Sequence, residues 1–177
     1  PKDETNEEIK LESTNLLSLI NKVKISISND DTRHYLNGVF LHITESQNRT
    51  YLTGVATDSH RLSSSSIEID KGTNFNSLIL PRKTIFQLCS LLQEIEEKVA
   101  IQISDTKIQF RIGKTKLISK VIDGKFPDYT KVVPVSNDKT LTVLSKDFID
   151  SIERVTTVSI DRKEGVKLVI NKENIKL

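Results

Sequence analysis

Asp58, His60 and Arg61 stand together in the stretch VATDSHRLSS, residues 55–64. An acid, an imidazole and a guanidinium so close can move protons, hold a polar ligand, or close a bend between strands. The proton-transfer reading makes the chain a hydrolase or transferase domain using Asp58, His60 and Arg61. A general base also needs a partner that tunes it and a pocket that holds substrate. The stretch carries no G-x-S-x-G elbow, no G-x-x-x-x-G-K-[ST] phosphate loop and no H-x-x-x-H ligand pair. The other reading needs less. Asp58 closes a turn through its side-chain oxygen, while His60 and Arg61 border a groove. The serines at 63–66 read as strand residues with one exposed face, and Cys89 as a packed thiol on an apolar helix side.

Composition narrows the classes. The chain has 177 residues, 28% of them charged, and a formal net charge of +2. That suits one globular domain of ordinary size or one and a fraction. A balance so near neutral argues for a nucleic-acid partner only if the basic groups gather on one face. Cys89 is the single cysteine, which excludes an internal disulfide, and His34, His42 and His60 are scattered rather than set at zinc-ligand spacing. No cofactor or metal is expected. No apolar run reaches the ~20 residues of a membrane span, and a reducing, cytoplasmic location follows. The absence of methionine fits a piece of a longer chain.

The elements that must position the candidate residues follow from periodicity. Residues 1–8 read as a linker. IKLE alternates, with Ile9 and Leu11 on one side. Ser13 is placed to cap a helix whose apolar face is Leu16, Leu17, Ile20, Val23 and Ile27. GVFLHI, TYLTGVAT and RLSSSSIEI are strands. SLIL leads to Pro81 at the first position of a second helix, with Ile85, Leu88, Cys89, Leu92 and Ile95 as its core side. VAIQIS, KIQFRIG and TKLISKVI alternate as strands of a half-buried antiparallel sheet, and DGKFPDY is turn chemistry.

The chain repeats at two scales. Residues 13–23 match 145–155 in pattern, and GVFLHI at 38 recurs as GVKLVI at 165. Within the first copy, a strand, a helix and three strands run from Ile9 to Ile69 and again from Leu78 to Ile122. The expected fold class is α+β, with two helices side by side on paired antiparallel sheets. The helices' outward faces then carry Ser18, Asn21 and Lys22; Lys83, Gln87, Ser90 and Glu94; and Lys146, Asp150, Glu153 and Arg154. Charge signs on these faces are mixed.

RHYLNGVFL, VATDSHRLS, LILPRKTIFQL and SKVIDGKFPDYTKVVP occur in this order and spacing. Together they closely resemble the middle domain of the bacterial sliding clamp, the beta subunit of DNA polymerase III. The resemblance implies a middle domain over residues 9–134 and an incomplete third domain over 135–177. It implies a non-enzymatic processivity factor that tethers the polymerase to duplex DNA without reading sequence. Full-length clamps close as homodimeric rings, whereas this piece is expected to be monomeric.

The resemblance also assigns residues. Thr57, His60, Arg61 and Leu62 form one wall of a pocket that takes short peptides from the polymerase, the clamp loader and repair proteins. Pro127, Lys131 and Val132 form another wall, with Tyr35 and Leu36 nearby. Leu62, Pro127 and Val132 offer apolar contact, and His60 and Arg61 hold polar groups at the rim. Lys22, Arg82 and Lys83, with Lys24 and Lys125, become candidate DNA-facing groups acting on phosphates. The sequence departs from the family pattern at two places. Ser59 replaces a usual glycine, which costs about 1 kcal/mol if the position needs a positive φ. His34 stands where a second aromatic residue is often found.

Overall fold

A strand, a helix and three strands occur twice between Ile9 and Lys120. The computed structural model describes residues 8–73, 76–158, 165–171 and 173–177, so the expected linker lies, except for Glu8, outside the described residues. The first half is β1 (Ile9–Glu12), α1 (Ser13–Val23), β2 (Gly38–Ser46), β3 (Arg49–Thr57) and β4 (Leu62–Ile69). The second is β5 (Leu78–Pro81), α2 (Arg82–Gln93), β6 (Lys98–Ile103), β7 (Lys107–Ile112) and β8 (Thr115–Lys120).

The halves exchange their first strands. One antiparallel sheet runs β1-β6-β7-β8 and the other β5-β2-β3-β4. In register, Glu12 lies opposite Lys98 and Pro81 opposite Gly38. Neither half therefore completes a sheet from its own strands. The sheets meet where the Ile122 N–H donates to the Ile79 carbonyl at 2.9 Å. Gly38 is needed at this crossing, because a Cβ there would collide with the Leu80 carbonyl oxygen.

The helices pack against one another and share one core with both sheets. α1 buries Leu16, Leu19, Ile20 and Val23, a spacing of i, i+3, i+4, i+7. α2 buries Ile85, Leu88, Cys89 and Leu92. Val39, Leu41, Val99 and Phe110 receive them from the sheets. Full burial of one such side chain is worth about 1.5–3 kcal/mol. The close fit of α1 needs Gly54 on β3, where a Cβ would stand 2.7 Å from Leu19 Cδ2.

Several sequence expectations are corrected in detail. Leu17 is only partly buried, and Leu19 takes its place on the core side. Ile27 is buried but follows the helix, beyond a 3₁₀ turn at Lys24–Ser26. Ser13 does not cap α1. It is the first helical residue, 1% exposed, and its hydroxyl donates to the Ile95 carbonyl at 3.1 Å. The hydroxyl thus satisfies a backbone acceptor just past the end of α2. Pro81 sits one position earlier than expected, ending β5. Glu94 lies beyond the last residue of α2.

The chain divides between Asp128 and Tyr129 into two compact units. The second contains a 3₁₀ turn at Tyr129–Lys131, α3 (Ser145–Thr156), β9 (Val169–Ile170) and β10 (Ile175–Lys176). α3 begins at Ser145 as α1 begins at Ser13, and neither serine caps its helix. β9 pairs antiparallel with β10. The strand expected from Gly165 begins instead at Val169.

Candidate functional site

The link between β3 and β4 is held by its own polar groups. Thr57 pairs with Leu62 across the hairpin, leaving Asp58 to Arg61 as the loop. Asp58 Oδ1 accepts from the backbone N–H of His60 and of Arg61, each at 3.0 Å. Its Oδ2 accepts from Arg61 Nε at 3.0 Å. Thr57 Oγ1 donates to the Arg61 carbonyl at 2.8 Å and accepts from the Ser59 N–H at 3.1 Å. Ser59 has φ of 76°, the left-handed region that favours glycine.

This arrangement decides what Asp58 can do. Burial alone would raise its carboxyl. The backbone N–H groups of Arg61 and His60, with the Arg61 side chain, outweigh that and hold it below its ordinary value. The carboxylate is engaged in closing the turn, and no hydrogen bond links it to the His60 ring among the described residues. An acid that orients or tunes a catalytic imidazole is therefore not built here.

A second segment is tied to the turn. Residues Asp31–Leu36 form a 3₁₀ stretch with a kink at Arg33. Asp30 precedes it and accepts from the Thr32 N–H at 2.9 Å, the Thr32 hydroxyl at 2.6 Å and Arg33 Nε at 2.8 Å. These bonds, those of Thr32 first, bring the Asp30 carboxyl down to about 2. Arg33 then reaches across to donate from Nη1 to Ser59 Oγ at 2.5 Å.

A third segment joins through His34. Its Nε2 lies 3.1 Å from the Asp123 carbonyl, and its ring meets Tyr35 edge-on with centroids 5.8 Å apart. Three residues beyond Asp123, Phe126 is buried and stacks on Phe40 of β2, with centroids 4.8 Å apart and planes 2° from parallel. Phe40 stacks in turn on His42, whose pKa is lowered by burial against the opposing bond to the Ile43 carbonyl.

The first unit thus links the segments carrying Thr57, His60, Arg61 and Leu62, Tyr35 and Leu36, and the approach to Pro127. His60, Arg61 and Pro127 are exposed, Thr57, Leu62 and Tyr35 are half-buried, and Leu36 is buried. Lys131 and Val132 belong to the second unit. Lys131 ends its 3₁₀ turn, and Val132 is 68% exposed, its N–H donating to the Tyr129 carbonyl at 3.1 Å.

Sequence reasoning missed Arg33, Asp30 and Phe126 as the fasteners of this surface. Arg33 opens the quoted RHYLNG motif, so its type was visible. Its partner 26 residues away was not.

The basic candidates divide by position. Lys22 is exposed on α1, Lys24 opens the 3₁₀ turn after it, and Arg82 and Lys83 begin α2. Neither α1 nor α2 contains an Asp or Glu, although the chain has 24 of them. The charge on this helix pair is therefore of one sign, whereas α3 carries Asp147, Asp150 and Glu153 beside its basic residues. Arg82 and Lys83 share a shallow depression with Phe86, Gln87 and Ser90. Lys125 is placed differently, in a groove at the meeting of β5 and β8 with Lys120 and Phe126.

Cys89 faces α1, where its thiol is 3.8 Å from Asn21 Oδ1 and 3.9 Å from Lys24 Nζ. Burial pushes the thiol up, against the opposing effect of Lys24, so it stays protonated at neutral pH. Among the described residues, no group of three His, Cys, Asp or Glu could hold a metal, and no helix is long and apolar enough to cross a membrane.

Comparison with known proteins places this geometry. The chain is 38% identical over 170 residues to the beta sliding clamp of Caulobacter vibrioides, covering 96% of this chain and 46% of that protein. The chain spans about half the length of the curated relatives it matches. Among solved structures, the C. crescentus beta sliding clamp with PEG bound to a putative beta-motif tethering region aligns with a TM-score of 0.94. That alignment has 37% identity and covers 99% of this chain and 47% of the other. A Bartonella birtlesii sliding clamp bound to griselimycin aligns at 0.89 and 39% identity, over 95% of this chain and 45% of the other. A family model described as the DNA polymerase III beta subunit, central domain, matches residues 10–128. With its exchanged-strand fold and relatives of this identity, the chain belongs to the DNA polymerase III beta subunit family, the bacterial sliding clamps.

Proposed function

We propose that the chain is part of a processivity clamp, which tethers the replicative polymerase to duplex DNA and recruits partners through short peptides. Residues 9–134 serve as the middle domain and 135–177 as the beginning of a third, with 1–8 a linker. The single observation that carries the peptide site is the fastening of the β3–β4 turn to the 30–36 segment by Arg33 and Ser59. A loop held rigid by internal bonds offers a preformed wall at little ordering cost. Leu62 and Pro127 supply apolar contact and His60 and Arg61 the rim, with Tyr35 and Leu36 nearby. No step in this role breaks a bond.

Duplex DNA is met by the helix pair. Phosphates are neutralised by Lys22, Lys24, Arg82 and Lys83, with Lys125 a further contact, and no base is read. Binding is weak and salt-sensitive because few phosphates are engaged. The full-length protein works in the cytoplasm as a homodimeric ring with polymerase and clamp-loader partners, while this chain alone is monomeric.

The test is a titration of the isotope-labelled chain with griselimycin, the compound bound in the B. birtlesii clamp, and separately with a short clamp-binding peptide. Amide shifts concentrated at Thr57–Leu62 and around Pro127 are expected. Saturable binding elsewhere, with those amides unmoved, would remove the assignment.

A further inference from the structure

Phe86 is 42% exposed on α2. Two cations lie over it. The Arg82 guanidinium, one helical turn earlier, is 5.1 Å from the ring centroid. Lys24 Nζ, which comes from the segment after α1, is 5.7 Å from it. The ring therefore gathers one cation from each side of the α1–α2 seam.

How these cations are held matters for what they can bind. Arg33, Arg49, Arg61 and Arg111 all lie against carboxylates. Among the described residues, neither Arg82 nor Lys24 has an ion pair, and neither α1 nor α2 contains an acid. Lys24's other neighbour, Cys89, is a thiol kept neutral by burial. A ring face attracts a cation through its quadrupole without cancelling the charge. Both side chains thus lose freedom while keeping their full charge for a polyanion.

We propose that Phe86 is a positioning residue for DNA. It holds Arg82 and Lys24 as a preset pair of phosphate contacts across the helix seam. This rests on the helix pair being the DNA face. The ring contributes by reducing the entropy two long side chains would lose on meeting phosphates.

The experiment measures binding of the 177-residue chain to a short labelled duplex at low salt, for wild type, Phe86→Leu, Phe86→Tyr and Lys22→Ala. Phe86→Leu keeps an apolar side chain but removes the ring. It is expected to weaken binding about two- to fivefold, and Phe86→Tyr to restore it. Proton NMR of the free chains supplies a second readout. The ring-current shifts of the Arg82 and Lys24 side-chain protons should vanish in Phe86→Leu and persist in Phe86→Tyr. If Lys22→Ala weakens binding while Phe86→Leu does not, the positioning role is wrong and the DNA face stands. If no variant alters binding, the DNA face itself is wrong and the role falls with it. Weakening in Phe86→Leu that Phe86→Tyr fails to restore would also overturn it, since the aromatic face would not be the cause.

Discussion

Arg33 and Ser59 are 26 residues apart and joined by a 2.5 Å bond between guanidinium and hydroxyl. The same arginine is held from behind by Asp30. A left-handed residue at the tip of one loop is thereby fixed to the kink of another segment. Serine at this position gains a partner that a glycine could not have, at the cost of an unfavourable φ of 76°.

Two substitutions separate these effects. Ser59→Ala loses the Arg33 bond and keeps the backbone conformation, whereas Ser59→Gly loses both the bond and the Cβ strain. Ser59→Gly should be the more stable of the two by about 1 kcal/mol. Urea denaturation midpoints at equal m-value check this. Equal midpoints would mean the φ is not strained.

Acid should release the tie. Asp30 is lowered to about 2 in the fold, below its ordinary 3.8. Its contribution is complete above the unfolded value and is lost as pH falls from there through about 2. The Asp30 carboxyl carbon should titrate near 2, and the Ser59 and Thr32 amide shifts should follow it. A midpoint near the ordinary value would mean the cluster is not formed in solution.

Ser13 and Ser145 begin helices of matching pattern but differ in what they touch. Ser13→Ala removes the partner of the part-buried Ile95 carbonyl and should cost about 1 kcal/mol. Ser145 is exposed and caps nothing, so Ser145→Ala should stay within about 0.5 kcal/mol. Thermal melts of the two variants give the comparison.

The two close-approach glycines should rank by what a methyl would strike. At Gly54 it meets the end of a leucine side chain, which can give way, and Gly54→Ala should cost about 1–3 kcal/mol. At Gly38 it meets backbone at the exchanged-strand crossing, which cannot. Gly38→Ala should cost more, up to loss of folding. Denaturation curves, or soluble yield where a variant fails to fold, decide the order.

Much of the architecture was open to sequence reasoning because it rests on local periodicity. Ile9 and Leu11 alternate with exposed neighbours, and the α2 core residues were all identified. The strand–helix–three-strand repeat was visible as a pattern of elements. The exchange of β1 and β5 was not, because pairing of Glu12 with Lys98 leaves no trace in either segment alone. Leu19 was missed in favour of Leu17 because the two flank Leu16, Ile20 and Val23 on opposite sides of the helix, and periodicity alone does not say toward which flank the face turns. Ser13 satisfies a cap pattern, yet its hydroxyl serves a carbonyl 82 residues away. At the candidate site, the turn role of Asp58 could be read from residue type. The fastening by Arg33, His34 and Phe126 depends on three distant segments meeting, which periodicity does not encode. The acid-free composition of α1 and α2 was present in the sequence and was masked by including Glu94 in the helix.

The central claim is that the turn at residues 57–62 is a peptide-docking wall and not an active site. Binding of a short clamp-binding peptide, measured for wild type, Leu62→Asp and His60→Ala, tests it most directly. Leu62→Asp should abolish binding, because it sets an unpaired charge against the peptide's apolar anchor. His60→Ala should weaken it only slightly, about two- to threefold, as befits an exposed rim contact. A hydrolytic activity that disappears in His60→Ala, with no peptide binding by the wild-type chain, would contradict the claim.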